Sequence, residues 1–275
     1  MRKLQLLFLL SSLFIASSCD NDSPKVELTG NIELIVKANY DGELFQTQKE
    51  YEYIAGMIIK FTEFNFYVAN INVLEDESSI EETELADIDF IDLSFDVTQT
   101  AQALLGDTIS TKKITVGTYR GLKIGFGVPA DMNRKRPADF GEGHVLNTST
   151  HFWDPLSSYI FSKIEGFSDN NGNGIFETAE EEGIRFHLGQ DEVYSERILF
   201  PAVPIVIEDG QTLKLILNID VKKLFNMPNN QFDVNADNLL DIEVYDESHG
   251  DTESLEFLID KQLMRNFSDA ITLEQ

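Results

Sequence analysis

The chain has 275 residues, 42% of them apolar and 20 of them Phe, with a formal net charge of −27. That length and apolar content allow one large domain or two small ones with a real core, and they exclude a disordered chain. The acid excess excludes nucleic acid as a partner and repels anionic lipid, while attracting cations or basic partners.

Arg2 and Lys3 precede an apolar run, Leu4 to Ala16, that ends in "ASSC" at residues 16–19. A basic start, an apolar stretch too short for a bilayer and small residues before a cut site define an export signal over residues 1–18. Cys19, the only cysteine, stands where the signal ends. The pattern resembles a bacterial lipobox, with Ala16 where Leu is more usual, so Cys19 is expected to carry lipid. The alternative is an ordinary signal with an incidental Cys. Several acyl chains hold a protein to a membrane where one gives marginal binding. Residues 19–29 then form the lipidated Cys and a polar tether, and the expected location is the outer membrane or cell surface, facing periplasm or exterior. Loss of Arg2 and Lys3 leaves 19 basic against 48 acidic residues.

Beyond the tether, "NIELIVKA" and "MIIKFTEFNFYVANINVL" are rich in β-branched and aromatic residues, with Phe64, Phe66 and Val68 alternating, and predict strands. The acidic stretch 75–87 predicts an exposed loop, and "FIDLS" and "ITVGTYRGLKIGFGV" further strands. Gly117, Gly121, Gly125 and Gly127 mark turns or bulges; a dinucleotide loop would need a helix start and a third glycine in register. Residues 128–158 are long, polar and interrupted by Pro, as functional loops are. Strands resume at "YIFSKIEGF", "IRFHLG", "SERILFPAVPIVI" and "TLKLILNID". "DVKKLF" predicts a short helix. "DTESLEFLIDKQLMRNF" predicts an amphipathic one, with Leu255, Leu258, Ile259, Leu263 and Phe267 on one face. Many short strands with few helices predict an all-β fold, a Greek-key β-sandwich with a long loop insertion, occupying residues 30–275 as one domain.

Within this strand-rich chain, "SDNNGNGIFETAEEEG" (168–183) matches the spacing of an EF-hand-type calcium loop. Counted from Asp169, oxygen ligands fall at Asp169, Asn171, Asn173, Glu177 and Glu180, the carbonyl position at Ile175, and the turn glycine at Gly174. Phe176 supplies an apolar anchor. Two Asn in place of Asp lower the ligand charge and suit calcium-rich extracellular fluid. A solvated Asn-Gly turn before an acidic run is the plainer alternative.

The remaining chemistry lies in His144, His151, His187 and Trp153, the only Trp. The His151-Phe-Trp153-Asp-Pro stretch has the composition of an exposed loop. His187 falls in a strand, where a hydrogen-bonded structural imidazole is commoner than a ligand. His249 is expected to be merely exposed. "NFYVANINVL", "FIDLS", "GTYRGLKIGFGVP", "HVL", "HFWDPLSSYIFSKIEG", "FHLG" and "LNIDVKKLF" occur in an order that resembles the methanobactin-associated periplasmic protein (MbnP-like) family, over roughly residues 30–270. The resemblance implies an exported, β-rich, non-enzymatic protein of a kind that in some members binds copper. It matches His144 to the family's His-x-Leu element and His187 to its His-Leu-Gly element. Trp153 matches a tryptophan that a dihaem partner enzyme, peroxidase-like, oxidises in some members. The copper set it implies is His144 and His187, with Trp153 and His151 beside them. Phe152 stands where Met is usual, Ser158 where Gly is usual, and a second Trp is absent.

The leading expectation is therefore a membrane-anchored, copper-binding protein stiffened by a calcium loop. A calcium-stabilised surface module that binds protein or glycan is the second. A hydrolase using His151 and Asp154 is the third, and it lacks a Ser or Cys nucleophile motif.

Overall fold

A computed structural model describes residues 27–53, 58–76, 82–169, 172–176, 183–225 and 255–275. Cys19, Asn171, Glu177, Glu180 and His249 lie outside the described residues. The chain runs β1 (Thr29–Tyr40), β2 (Glu43–Leu44), β3 (Glu50–Glu52), β4 (Ile58–Leu74), β5 (Glu82–Asp92), α1 (Thr100–Leu105), β6 (Asp107–Ile109), β7 (Ile114–Thr115), β8 (Gly117–Tyr119) and β9 (Gly121–Phe126). It continues through α2 (Ala130–Asn133), β10 (Phe152–Trp153), β11 (Ser158–Asp169), β12 (Gly183–Gly189), β13 (Ser195–Leu199), β14 (Ile205–Ile207) and β15 (Thr212–Asp220). The described chain closes with α3 (Val221–Leu224), α4 (Leu255–Ala270) and β16 (Ile271–Glu274).

The fold is all-β and sandwich-like. One sheet has the order β16-β15-β1-β2, with β6 and β7 also on β1. The other has the order β10-β11-β4-β9-β13, with β12 on β11 and both β3 and β5 on β4. β8 and β14 form a short ribbon between them in sequence. Alternation in β1 buries Leu34 and Val36, and in β15 Leu215 and Leu217, so these side chains fill one inner layer. Phe64 and Phe66 of β4 with Ile124 and Phe126 of β9 fill the other. α4 lies in the core, where Phe267 approaches Phe66 at 5.0 Å and Phe126 at 5.5 Å between ring centroids. The amphipathic face expected for this helix is seen at Leu263 and Phe267, joined by Met264.

Several local readings change. The acidic stretch expected to be a loop through residue 87 becomes strand from Glu82, because β5 pairs with β4 from Leu74↔Glu82 onward. Its carboxylates are met by cations, Lys112 on Glu84 and Lys123 on Glu82 at 3.2 Å, so acid content there marks a charged outer face. The long loop carries secondary structure of its own in α2, a 3-10 turn at Pro137–Asp139 and β10. β1 and β15 pair in parallel, Asn31↔Thr212 to Asn39↔Asp220, which joins strands far apart in the sequence at the middle of the sheet. Two glycines are required by close approach. A Cβ at Gly166, where β11 shifts register against β4, would strike the Lys60 carbonyl. Gly127, at φ 100°, turns the chain out of β9 under the Phe161 ring.

No helix among the described residues is long and apolar enough to cross a membrane.

Candidate functional site

Three neighbouring strands, β4, β11 and β12, present a polar strip on their outer face. Asn65 pairs with Lys163, and Lys163 with His187, so the three stand in one cross-strand row. Ile164 points into the core while Lys163 and Glu165 point out, the period-2 rule of a half-buried strand. His187 Nε2 lies 2.6 Å from Glu165 Oε1. With that N–H given to a carboxylate, the neutral ring carries its lone pair on Nδ1. A carboxylate behind an imidazole in this way fixes ring and tautomer, as it does behind histidines that ligate metals.

His151 stands over the same strip in the opposite condition. It is only 7% exposed, which corrects the exposed-loop expectation. Its Nε2–H donates to Asn65 Oδ1 at 3.1 Å, and its Nδ1 accepts from the Thr150 hydroxyl at 3.1 Å. Asn65 in turn donates to Glu63 at 2.5 Å. The rings of Phe90 and Tyr67 meet the imidazole edge-on at 4.8 and 5.9 Å. Burial first, then electrostatic interaction with Lys163 and His187, pushes its pKa down to about 4. His151 is thus neutral at ordinary pH, with both nitrogens engaged.

The loop that delivers His151 is fastened at several points. Tyr159 donates its hydroxyl to the carbonyl of Leu146 at 2.8 Å, and Tyr67 to that of Val145 at 3.4 Å. Buried Asn133 of α2 accepts the Tyr159 backbone N–H at 2.8 Å and donates to Asp191 at 2.9 Å. Ser158 gives its hydroxyl to Asn133 at 3.2 Å and accepts from the Gln190 backbone N–H at 3.2 Å, so it takes part in a buried polar network.

His144 is stacked on Phe140 at 4.5 Å, and its Nδ1 accepts the Leu146 N–H at 3.1 Å. None of its contacts is shared with His187. The structure thus brings His151 and His187 onto one strip and leaves His144 on the Phe140 side of the loop. Trp153 is half-buried on β10 and pairs with Ser158, while its neighbour Phe152 meets Tyr159 at 5.0 Å. Asp154 bonds Arg136 at 2.9 Å, so it does not back His151. Glu165, Asn65 and Thr150 were not singled out as imidazole partners from the sequence. Glu165 alone had a local signal, its alternation with Ile164 in a strand facing His187's.

At the end of β11 the chain folds around a carboxylate. Buried Asp169 accepts the N–H groups of Asn173 at 3.0 Å and Gly174 at 2.8 Å, and Asn173 Oδ1 accepts that of Ile175 at 2.7 Å. Gly172 and Gly174 adopt φ of 70° and 74°, the left-handed conformation the sharp turn demands. Phe176 is buried, as expected of an anchor, with Lys60 Nζ 4.1 Å from its ring centroid. Of the expected ligand set, Asp169, Asn173 and Ile175 are described. Among the described residues, no group of three or more His, Cys, Asp or Glu side chains is placed to hold a metal ion.

The molecule is an all-β, sandwich-like domain that carries a carboxylate-backed histidine on an outer strip and a carboxylate-centred turn at the strip's end. It belongs to the MbnP family, whose model matches residues 29–244. Among solved structures it is similar to MbnP from Methylosinus trichosporium, at 12% sequence identity over 70% of this chain and 76% of that chain, with a TM-score of 0.46. No curated protein matches it.

Proposed function

We propose that this chain is an extracytoplasmic, lipid-anchored protein that binds copper through His187, with a calcium loop at residues 169–180 holding the β11–β12 connection. The observation that carries the copper reading is the His187–Glu165 pair: the carboxylate takes Nε2–H and leaves the lone pair on Nδ1. Imidazole is a suitable copper donor in either oxidation state, and few other soft donors are at hand. His151 is the imidazole nearest in electrostatic reach, but it must release Thr150 or Asn65 to join a metal. His144 must give up the Leu146 N–H, or hold its second nitrogen deprotonated. Trp153 flanks the loop as a neighbour rather than a donor. When bound, copper would supply a soft, redox-active centre; the residues supply orientation and a fixed tautomer.

The test is titration of reduced copper into purified protein. Stoichiometric binding is expected, weakening as pH falls below about 6.5, where free imidazole takes a proton. It should be lost in His187→Ala. Binding that survives the His144→Ala, His187→Ala double variant would reduce copper to surface adsorption on an acidic protein. The Asp169 turn supports the second reading, a calcium-stabilised surface module, because it preorganises the loop's first carboxylate without calling on any histidine. Calcium binding without copper binding decides for that reading.

A further inference from the structure

Residues 198–207, "ILFPAVPIVI", are ten consecutive apolar residues without a charge in a chain of net charge −27. The fold does not bury them all. Leu199, Ile205 and Ile207 enter the core, while Phe200, Val203 and Val206 remain 52%, 55% and 49% exposed. Leu28, where the described chain leaves the tether, is 50% exposed and belongs to the same edge. Its carbonyl accepts the Val116 N–H at 3.0 Å, and the next residue, Gly117, pairs with Ile207. Thr29 likewise accepts the Gly210 N–H at 2.9 Å. The exit of the tether and the exposed apolar run are thus stitched together by backbone hydrogen bonds.

We propose that this edge, Leu28 with Phe200, Val203 and Val206, lies in the headgroup–acyl boundary of the bilayer to which Cys19 is attached. The inference rests on the lipidation of Cys19 proposed above. Nine residue steps separate Cys19 from Leu28, so a fully extended tether reaches about 30 Å at most. The anchor therefore keeps this edge at high effective concentration against the membrane, and even weak insertion is populated. A bilayer suits the patch better than a second copy of the chain, because two bodies with 19 basic against 48 acidic residues each repel across so small an area. Exposed Lys113 and Arg120 flank β7 and β8 at the rim, opposed by Glu208, Asp209 and Glu27, the last accepting from the Thr115 hydroxyl at 2.9 Å, so the rim has no positive excess to draw anionic lipid. The preferred surface is accordingly zwitterionic lipid, entered by apolar side chains.

The experiment uses the full-length lipoprotein carrying Val206→Cys, purified from membranes, labelled with a thiol-reactive fluorophore and reconstituted into phosphatidylcholine vesicles containing a lipid with a shallow nitroxide quencher. Gly141→Cys is the control. Nothing lies within 4 Å of an added Cβ there, and its loop leads to β10, the edge of the sheet opposite β13. One label per chain with loss of most emission at position 206 and little at 141 is the expected result. Adding Phe200→Ser and Val203→Ser should restore the emission. Two labels per chain mean that Cys19 is free, which sinks the anchor and this proposal together. One label without quenching at 206, equal quenching at both positions, or a Val206→Cys disulfide dimer in place of quenching overturns the docked edge and leaves the anchor standing.

Discussion

His151 and His187 face the same strip of sheet and sense one another's charge, yet their surroundings assign them different work. Around His151, two strands and a loop close in: Asn65 and Thr150 occupy both nitrogens, and Tyr67 and Phe90 wall the ring. His187 stands at the outer strand with one nitrogen held by Glu165 and the other unclaimed. A buried imidazole with both nitrogens satisfied is a structural pin that charge would expel. A partly buried one with a carboxylate behind it has its tautomer fixed and one nitrogen left over. Residue type and chain neighbourhood do not separate the two; the count of engaged nitrogens does.

The strongest way to break that distinction is to truncate both. His151→Ala removes two hydrogen bonds, strands Asn65 and Thr150, and leaves a hole beside Tyr67 and Phe90. It should cost about 3–4 kcal/mol in chemical denaturation. His187→Ala loses only a partly exposed pair and should cost less than about 1 kcal/mol. Equal costs would erase the comparison.

The second way is pH. The native pKa of His151, about 4, lies below the unfolded value of about 6.5, so the unfolded state binds the extra proton as pH falls through that window. Stability contributed by keeping His151 neutral is therefore complete above pH 6.5 and is lost toward pH 4, by about 3 kcal/mol in all. Denaturation midpoints of wild type and His151→Gln should diverge above pH 6.5 and converge near pH 4. Parallel curves would mean that His151 is not the buried group responsible.

The third contrast sets the strip against the turn at its end. If calcium binds residues 169–180, a hundredfold excess over the dissociation constant should raise unfolding stability by about 2.7 kcal/mol. Asp169→Asn should remove most of that gain, and His187→Ala should leave it intact. A melting temperature indifferent to calcium and chelator would reduce the loop to a well-formed Asx turn. The smallest expected effect on stability is that of Glu165→Gln, within about 0.5 kcal/mol. The same variant should weaken copper binding by roughly 10- to 100-fold, as the loss of an orienting partner does.

Much of the sandwich was legible because strand alternation is local: Phe64 and Phe66, Leu34 and Val36 announce their inner face within a few residues. Leu263 and Phe267 announced the last helix in the same way. The start of β5 was hidden because its outer face is acidic and its cations, Lys112 and Lys123, come from elsewhere in the chain. β16 is four residues long and carries too little pattern to be seen. At the site, His187 was found by its motif, but the burial of His151 was not, since its shell is drawn from residues 65, 67, 90 and 150. Such a shell exists only after the strands have been ordered. Trp153 and His144 were named by resemblance, and nothing local in the sequence could say that only His151 would share a strip with His187.

The parallel pairing of β1 with β15 carries a consequence for the time course of folding. Asn31 and Thr212 stand 181 residues apart and still share a register. β2, β6 and β7 can reach one edge of this first strand early, but its parallel edge waits for nearly the whole chain, at least about ten seconds at ordinary synthesis rates. The β4–β5 hairpin can close early at small entropic cost, whereas the β1–β15 contact must await a very long loop. During that interval the apolar "IELIV" of β1 keeps one edge unpaired, the kind of edge that escorts and proteases recognise. Maturation of this protein is then limited by the arrival of its own far end.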